Sequence, residues 1–395
     1  MPVSKPARKE TAPVVVVGGG VVGLAAARRL ALEGMAVTVV EREVPAHGAT
    51  WASAGMLSPL GERLEEGPFL DLGVRSLEEY PDFVAALETE AEMEVGYRRS
   101  GKVQVARKPE EGRALKERAE WGRLRGFETE WLEGRKLRRR FPQVTPSALG
   151  GMFIPGDHQV ENRALGEALH RAVVRAGGIV EGRTAVTRLL VEEAGANRVR
   201  GVQVEGGRVV EASWVVLAAG AWSARLPGLP RPLSVRPVRG QMVALRPESL
   251  PWSRMIADRA VYLVPRGDGR VLAGSTEEDA GFANATTVEG VRSLLDGAVG
   301  LVPSLGEAEV TEVWAGLRPG TPDRRPILGP DPEVEGLVYA TGHFRNGILL
   351  APATAELVSD LILGRPPSIP LHPFSPTRFR GTGPDPDPDD DLRPI

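Results

Sequence analysis

Apolar positions follow two different rhythms along this chain. Val14–Val17 is an unbroken apolar run, the pattern of a strand buried on both faces. Gly18, Gly19, Gly20 and Gly23 follow at once, then a helix-forming stretch at 24–33 and a second apolar strand at 36–40. Helical spacing recurs at 71–94 in spite of Pro81, at 110–125, at 162–176, at 287–302 and at 348–363. Strands are predicted at 101–107, 179–191, 199–210, 214–219 and 337–340. Alternation at 233–245, and at 261–265 and 270–274 on either side of Asp268-Gly269, predicts antiparallel strands and one hairpin.

Parallel-type strands therefore occur in separate stretches with antiparallel material between them. The predicted fold is α/β: a Rossmann-like cofactor domain interleaved with an α+β, antiparallel-sheet substrate domain. The boundaries drawn from these changes of character are 13–90, 150–228 and 312–370 for the cofactor domain, and 91–149 and 229–311 for the substrate domain. The polar stretch 1–12 and the Gly-Pro and Asp-Pro-rich stretch 380–395 are expected to be disordered.

The glycines give the first chemistry. A strand, a glycine-rich turn and a helix form a seat for a pyrophosphate, with backbone N–H groups and the helix N-terminus facing the anion. Gly18, Gly20, Val21, Val22 and Gly23 make that seat, and Glu41, at the end of the second strand, is spaced to bind a ribose hydroxyl. That motif alone is shared with nicotinamide enzymes.

Composition mainly excludes. A net charge of −3 gives no case for nucleic acid or an anionic membrane surface. No run approaches the roughly 20 apolar residues of a membrane span, and a cytoplasmic location is expected. The chain has no cysteine, so there is no disulfide, thiolate metal site or thiol nucleophile. The five histidines are too dispersed for a metal site or a catalytic triad, and none is assigned as a general base.

Two later segments are more specific: WAGLRPGTPDRRPILG at 314–329 and TGHFRNGILLAPAT at 341–354. Together with the glycine-rich opening, Ala54-Gly55-Met56-Leu57, residues 216–223, 237–241 and Tyr262-Leu263-Val264-Pro265-Arg266, they resemble the D-amino-acid oxidase superfamily of flavoproteins, and within it the glycine oxidase family of thiamine biosynthesis. The resemblance covers about 13–370. It implies FAD, held by the glycine seat, Glu41 and Arg42, by Ala49, Thr50, Ala54, Gly55 and Met56, by Val186, Gly220 and Trp222, and by the turn Gly342, His343, Phe344, Arg345, Asn346, Gly347, Ile348 and Leu349. Relatives that attach flavin covalently carry a histidine where this chain has Ala52, so a dissociable, non-covalent FAD is expected.

The resemblance further implies oxidation of glycine to the imine, then glyoxylate, with oxygen returning as hydrogen peroxide. Arg318 is the candidate clamp for the substrate carboxylate, since guanidinium binds carboxylate through two parallel hydrogen bonds. An ion pair at a domain junction is the other reading of the same arginine. Tyr262 is assigned to cap the carboxylate or to be an ordinary core tyrosine, and Arg345 to touch the substrate or only to hold its turn. Met56 and Glu277 are placed at the substrate pocket. Glu277, where a methionine can occur, and Arg259-Ala260-Val261 ahead of Tyr262, without the histidine of some relatives, leave sarcosine, small D-amino acids and D-proline open as substrates. An acceptor other than oxygen and a non-catalytic flavoprotein subunit are the remaining alternatives. The family also implies a homo-oligomer, with a tetramer possible.

Overall fold

The computed structural model describes residues 13–62, 66–192 and 197–379; the expected disordered stretches at 1–12 and 380–395 lie outside them. Val14–Val17 is central in a six-stranded sheet. The order is Ile327–Pro330, Leu337–Thr341, Trp214–Leu217, Val14–Val17, Val37–Val40 and Ile179–Glu181. All neighbours are parallel except the antiparallel first pair. Because side chains alternate across a strand, Val14 and Val16 enter one core and Val15 and Val17 another. The first core is covered by the helices Val21–Leu32, Pro68–Ala91, Asn162–Arg175 and Gly347–Ile362. The second is covered by a three-stranded antiparallel sheet of Val186–Glu192, Arg198–Val204 and Val209–Glu211. Both faces of the parallel sheet are thus removed from water, which is why its strands read as plain apolar runs.

A second, eight-stranded sheet runs Glu309–Gly320, Arg236–Arg246, Val271–Gly274, Tyr262–Pro265, Met255–Ala257, Lys102–Ala106, Gly150–Ile154 and Glu130–Glu133. Its apolar face packs on the helices Val288–Leu301 and Gly134–Arg140. The mixed architecture matches the expectation, and several details correct it. The run 179–191 is two strands: Ile179–Glu181 belongs to the parallel sheet and Val186–Glu192 to the three-stranded one. The run 199–210 is broken by a turn at Glu205–Gly207. Gly150–Ile154 and Glu309–Gly320, set wholly or mostly on the cofactor side by the drawn boundaries, hydrogen-bond into the eight-stranded sheet. The first helix starts at Val21, so Gly23 is already helical.

One join between helices decides where the site lies. Pro352 stands inside Gly347–Ile362 and has no N–H to give the carbonyl of Ile348. The Tyr80 hydroxyl donates to that carbonyl at 2.7 Å, and the Ser76 hydroxyl donates to the Leu349 carbonyl at 2.7 Å. Both donors sit on Pro68–Ala91 and are fully buried. The bend that proline imposes is therefore satisfied from a neighbouring helix, which fixes the start of Gly347–Ile362.

Candidate active site

A cavity of about 570 Å³ is lined by residues of both sheets and of the turns and helices beside them. One end is formed by the turn after Val14–Val17. Gly18 has φ 105°, and a Cβ there would stand 2.4 Å from the carbonyl oxygen of Ala218, so only glycine lets the two strand ends approach. The Glu41 carboxylate closes this end, accepting from the N–H of Gly19 at 2.7 Å and of Glu43 at 2.9 Å. The Thr50 hydroxyl accepts from the N–H of Val21 at 2.9 Å and so fixes the entry to the first helix. Backbone amides and a helix N-terminus face the cavity here beside the Glu41 carboxylate, a combination that suits a dinucleotide pyrophosphate.

The same cavity is lined by Ala49, Thr50, Ala54, Gly55 and Met56, by Gly20, Val22 and Arg42, and by Gly220 and Trp222. The Arg42 guanidinium lies 4.3 Å from the centre of the Trp222 ring. His343, Phe344, Arg345, Gly347 and Ile348 make the far wall. Asn346 leads into Gly347–Ile362 without a side-chain cap on that helix, so the positive end of the helix meets the cavity uncapped. The residues present fit FAD: an anion seat at the glycine turn, and an uncapped helix N-terminus at Gly347–Ile362 that would favour negative charge on the bound group.

Other expected residues are beside this wall rather than on it. Gly23 packs inside the first helix against the Gly18 carbonyl, and Val186 opens a strand of the three-stranded sheet and is buried with Val17 and Val40. Leu349 faces the helical core, and Gly342 and Asn346 support the turn from behind. Glu277 is not on the wall: its carboxylate meets Arg324 at 2.7 Å and reaches Arg345 at 3.8 Å. His343 is buried with Nε2 3.1 Å from the Thr354 hydroxyl, and burial pushes its pKa down to about 3, so it stays neutral.

Tyr262, Arg318, Arg345 and Met56 do come together on the cavity. Arg318 is near the end of Glu309–Gly320 and pairs across the ladder with Val238. Its guanidinium donates to the Ser275 hydroxyl at 2.6 Å, the Thr276 carbonyl at 3.2 Å and the Arg239 carbonyl at 3.4 Å. Among the described residues no carboxylate is within ion-pair distance of it, so its charge is oriented by neutral oxygens and left uncompensated. Burial lowers its pKa from the ordinary arginine value, against the opposing pull of Tyr262, Glu277 and Glu62. Arg345 differs: its Nε holds Glu62 at 2.8 Å, and the Glu62 charge raises the Arg345 pKa. The Tyr262 hydroxyl donates to Met242 Sδ at 3.2 Å. Of the two arginines, only Arg318 has its charge free for an anionic group in the cavity.

The loop that holds Arg318 was not visible in the sequence. Arg239, Gln241 and Thr276 all bond the Glu278 carboxylate, and the Gln241 N–H donates to the Thr276 hydroxyl at 2.8 Å. Ser275, Gly240, Met242 and Glu62 also line the cavity, and sequence reasoning assigned none of them to it. Gly240 lay in the segment 237–241 that carries the resemblance but was given no role there, and the only signal for Ser275 was the alternation of the strands next to it. Trp314 Nε1 donates to the Ala52 carbonyl at 3.0 Å, which seats Ala52 against Gly316 on the cavity. Among the described residues no cluster of side chains could hold a metal, and no helix is long and apolar enough to cross a membrane.

Comparison with known proteins agrees with this geometry. The family model described as DAO, FAD dependent oxidoreductase, matches residues 13–361. The bifunctional protein ThiO/ThiG of Synechocystis is 38% identical over 380 residues, covering 94% of this chain and 55% of that one. The chain thus spans about half the length of this curated relative. A glycine oxidase from Geobacillus kaustophilus is 35% identical over 371 residues, covering 93% of this chain and 97% of the relative. The crystal structure of glycine oxidase from Geobacillus kaustophilus superposes with a TM-score of 0.88 at 34% identity, over 93% of this chain and 99% of that one.

Proposed function

Because this chain belongs to the DAO family of FAD-dependent oxidoreductases, we propose that it oxidatively deaminates glycine, with sarcosine and small D-amino acids as possible further substrates. The product is the imine, which hydrolyses to glyoxylate and ammonia. Oxygen is the proposed acceptor, leaving as hydrogen peroxide, and the proposed metabolic use of the imine is thiazole synthesis for thiamine. The relatives named glycine oxidase and ThiO/ThiG support this reading. We further propose a cytoplasmic homo-oligomer and a non-covalent FAD. The division of the chain follows the two sheets, a cofactor domain on the parallel one and a substrate domain on the eight-stranded one.

The observation that carries the reading is the uncompensated Arg318 guanidinium on the cavity wall. When bound, FAD supplies the two-electron acceptor. The protein's part is to place an amino acid against it. Arg318 takes the carboxylate in a bidentate grip, the Tyr262 hydroxyl turns from Met242 to cap it, and the substrate Cα–H is thereby directed at the flavin. His343 is buried, neutral and occupied by Thr354, so it serves the turn and takes no substrate proton. The uncapped start of Gly347–Ile362 stabilises negative charge arriving nearby by up to about 2 kcal/mol.

The test is peroxide release by the purified yellow protein given glycine, sarcosine, D-alanine and D-proline at equal concentration. Peroxide from glycine at a kcat/KM equal to or above the others is the expected result. Silence with glycine beside turnover of D-proline or sarcosine overturns the named substrate and leaves the Arg318 clamp standing. If no peroxide forms, failure of all four to bleach the flavin anaerobically overturns the catalytic reading.

A further inference from the structure

Lys102 opens the strand Lys102–Ala106 and is 2% exposed, on the strand face it shares with Gln104, opposite the core-facing Val103 and Val105. A lysine this deep needs a partner. Its Nζ lies 3.6 Å from Glu62 Oε1 and 3.3 Å from Ser58 Oγ, and Ser58 donates in turn to Asp157. The other oxygen of Glu62 holds Arg345 at 2.8 Å. Four separate segments therefore meet at one buried ammonium: the stretch 58–62, the start of an eight-stranded-sheet strand, the turn at Asp157, and the turn of Arg345. The packing is close enough that a Cβ on Gly61 would come within 2.2 Å of Ser58 Oγ, 2.8 Å of Asp157 Oδ2 and 3.0 Å of Lys102 Nζ.

The charges in this chain are unequal. Burial alone would push the Glu62 carboxyl up, but Arg345 and Lys102 override it and hold it at about 2. Burial pushes Asp157 up to about 7 against the pull of Lys102 and Ser58, with the Glu62 charge adding to the rise. Below neutrality, then, Asp157 carries a proton, and one carboxylate, Glu62, faces two cations. Arg345, Glu62 and Lys102 together leave one positive charge, and Glu62 and Arg345 share the cavity with Arg318.

We propose that Lys102 is a positioning residue for substrate binding: as a second cation on Glu62 it leaves the Glu62–Arg345 pair with a net positive charge, so that the wall beside Arg318 stays positive toward a substrate carboxylate. This rests on the reading that the substrate is an amino acid. Lys102 touches neither substrate nor cofactor, and it acts only through Glu62. Removing it leaves no orphaned buried carboxylate at Asp157, which keeps its proton.

The test uses the holoenzyme with Lys102→Met, Glu62→Gln and the double variant. Acetate, a carboxylate without an amine, is titrated by its effect on the flavin spectrum and by competition with glycine. Lys102→Met should weaken acetate roughly fivefold or more, Glu62→Gln alone should strengthen it, and the double variant should return to near the parent value. The KM for glycine should follow acetate, whereas the KM for glycine methyl ester, which has the amine but no carboxylate charge, should stay put. Unchanged acetate binding in Lys102→Met, or equal shifts for glycine and its ester, overturns the proposal. If Lys102→Met does not fold, loss of acetate affinity in Glu62→Gln overturns it instead. Acetate binding that responds as described in a protein inert toward every amino acid would defeat the proposed reaction alone. Turnover of glycine with acetate affinity indifferent to Lys102 would defeat this inference alone.

Discussion

The guanidinium of Arg318 lies directly on the Cα of Gly240, so near that an added Cβ would stand 2.1 Å from Nη2 and 2.2 Å from Nη1. Gly240 pairs with Gly316 in the ladder, two residues before the arginine, so the bare backbone of one strand is the floor on which the other strand's side chain rests. Gly240→Ala should displace Arg318 without touching the cofactor seat at the other end of the cavity. The expected outcome is a raised KM for glycine with FAD content unchanged. A normal KM in a folded variant would show that the floor is not needed.

Arg318 itself should be less tolerant. Losing a charged hydrogen-bond partner costs about 1.5–3 kcal/mol, or roughly ten- to a hundredfold. Arg318→Met should lose that much in kcat/KM for glycine and weaken acetate binding in step, with the visible flavin spectrum retained. Steady-state kinetics beside an acetate titration measure both.

Tyr80 carries a purely structural prediction. Its hydroxyl is the partner of the Ile348 carbonyl that Pro352 leaves without an N–H. Tyr80→Phe should leave a buried carbonyl unsatisfied and destabilise the protein by about 1–3 kcal/mol. Denaturant unfolding of the holoenzyme gives the number directly, and a midpoint equal to the parent would contradict the account.

Asp157 gives a pH dependence with a definite sign. Its folded pKa is about 7, above the roughly 3.9 of an unfolded aspartate, so the folded state holds the proton more tightly. The stability this contributes is complete below about pH 4 and is lost as pH rises through 7. Asp157→Asn keeps a neutral side chain at every pH. The melting temperature of the variant minus that of the parent should therefore grow more favourable between pH 5 and 8, and a flat difference would refute the assignment.

The flavin should leave intact. Ala52 offers no atom to bond with it, and the chain has no cysteine. Acid precipitation should send the yellow colour into the supernatant, and colour that stays in the pellet would require a covalent link elsewhere.

What the sequence revealed and what it hid divide along physical lines. Gly18 and Glu41 were legible because a strand, a tight turn and a helix start write their requirements into neighbouring residues, whereas Thr50, His343 and Gly347 were reached through the family resemblance. Arg318 was legible because an arginine among small and apolar residues needs an explanation. Ser275, Gly240 and Glu62 were not, because each matters only through the register of segments far apart in the chain. The division of 179–191 between two sheets was hidden for a related reason, since both halves are ordinary strands and only their partners differ. Lys102 left one trace, a charge at the head of an apolar strand. Its three neighbours come from stretches that no local pattern connects.

The position of Leu337–Thr341 in the parallel sheet sets a timetable. That strand lies against Trp214–Leu217, and the helix that follows it covers the first helix, Val21–Leu32. Arg318, Arg345 and the far wall of the cavity come from the same late portion of the chain. As the polypeptide emerges from the ribosome, the glycine seat is made among the first residues and must wait, half covered, for about three hundred more. Contacts this distant in sequence are slow to form and leave apolar surface open meanwhile. Cofactor capture thus waits until Gly347–Ile362 has been made, and a chain released at residue 346 would carry the whole glycine motif and Arg318, yet lack the helix that closes the cavity behind them.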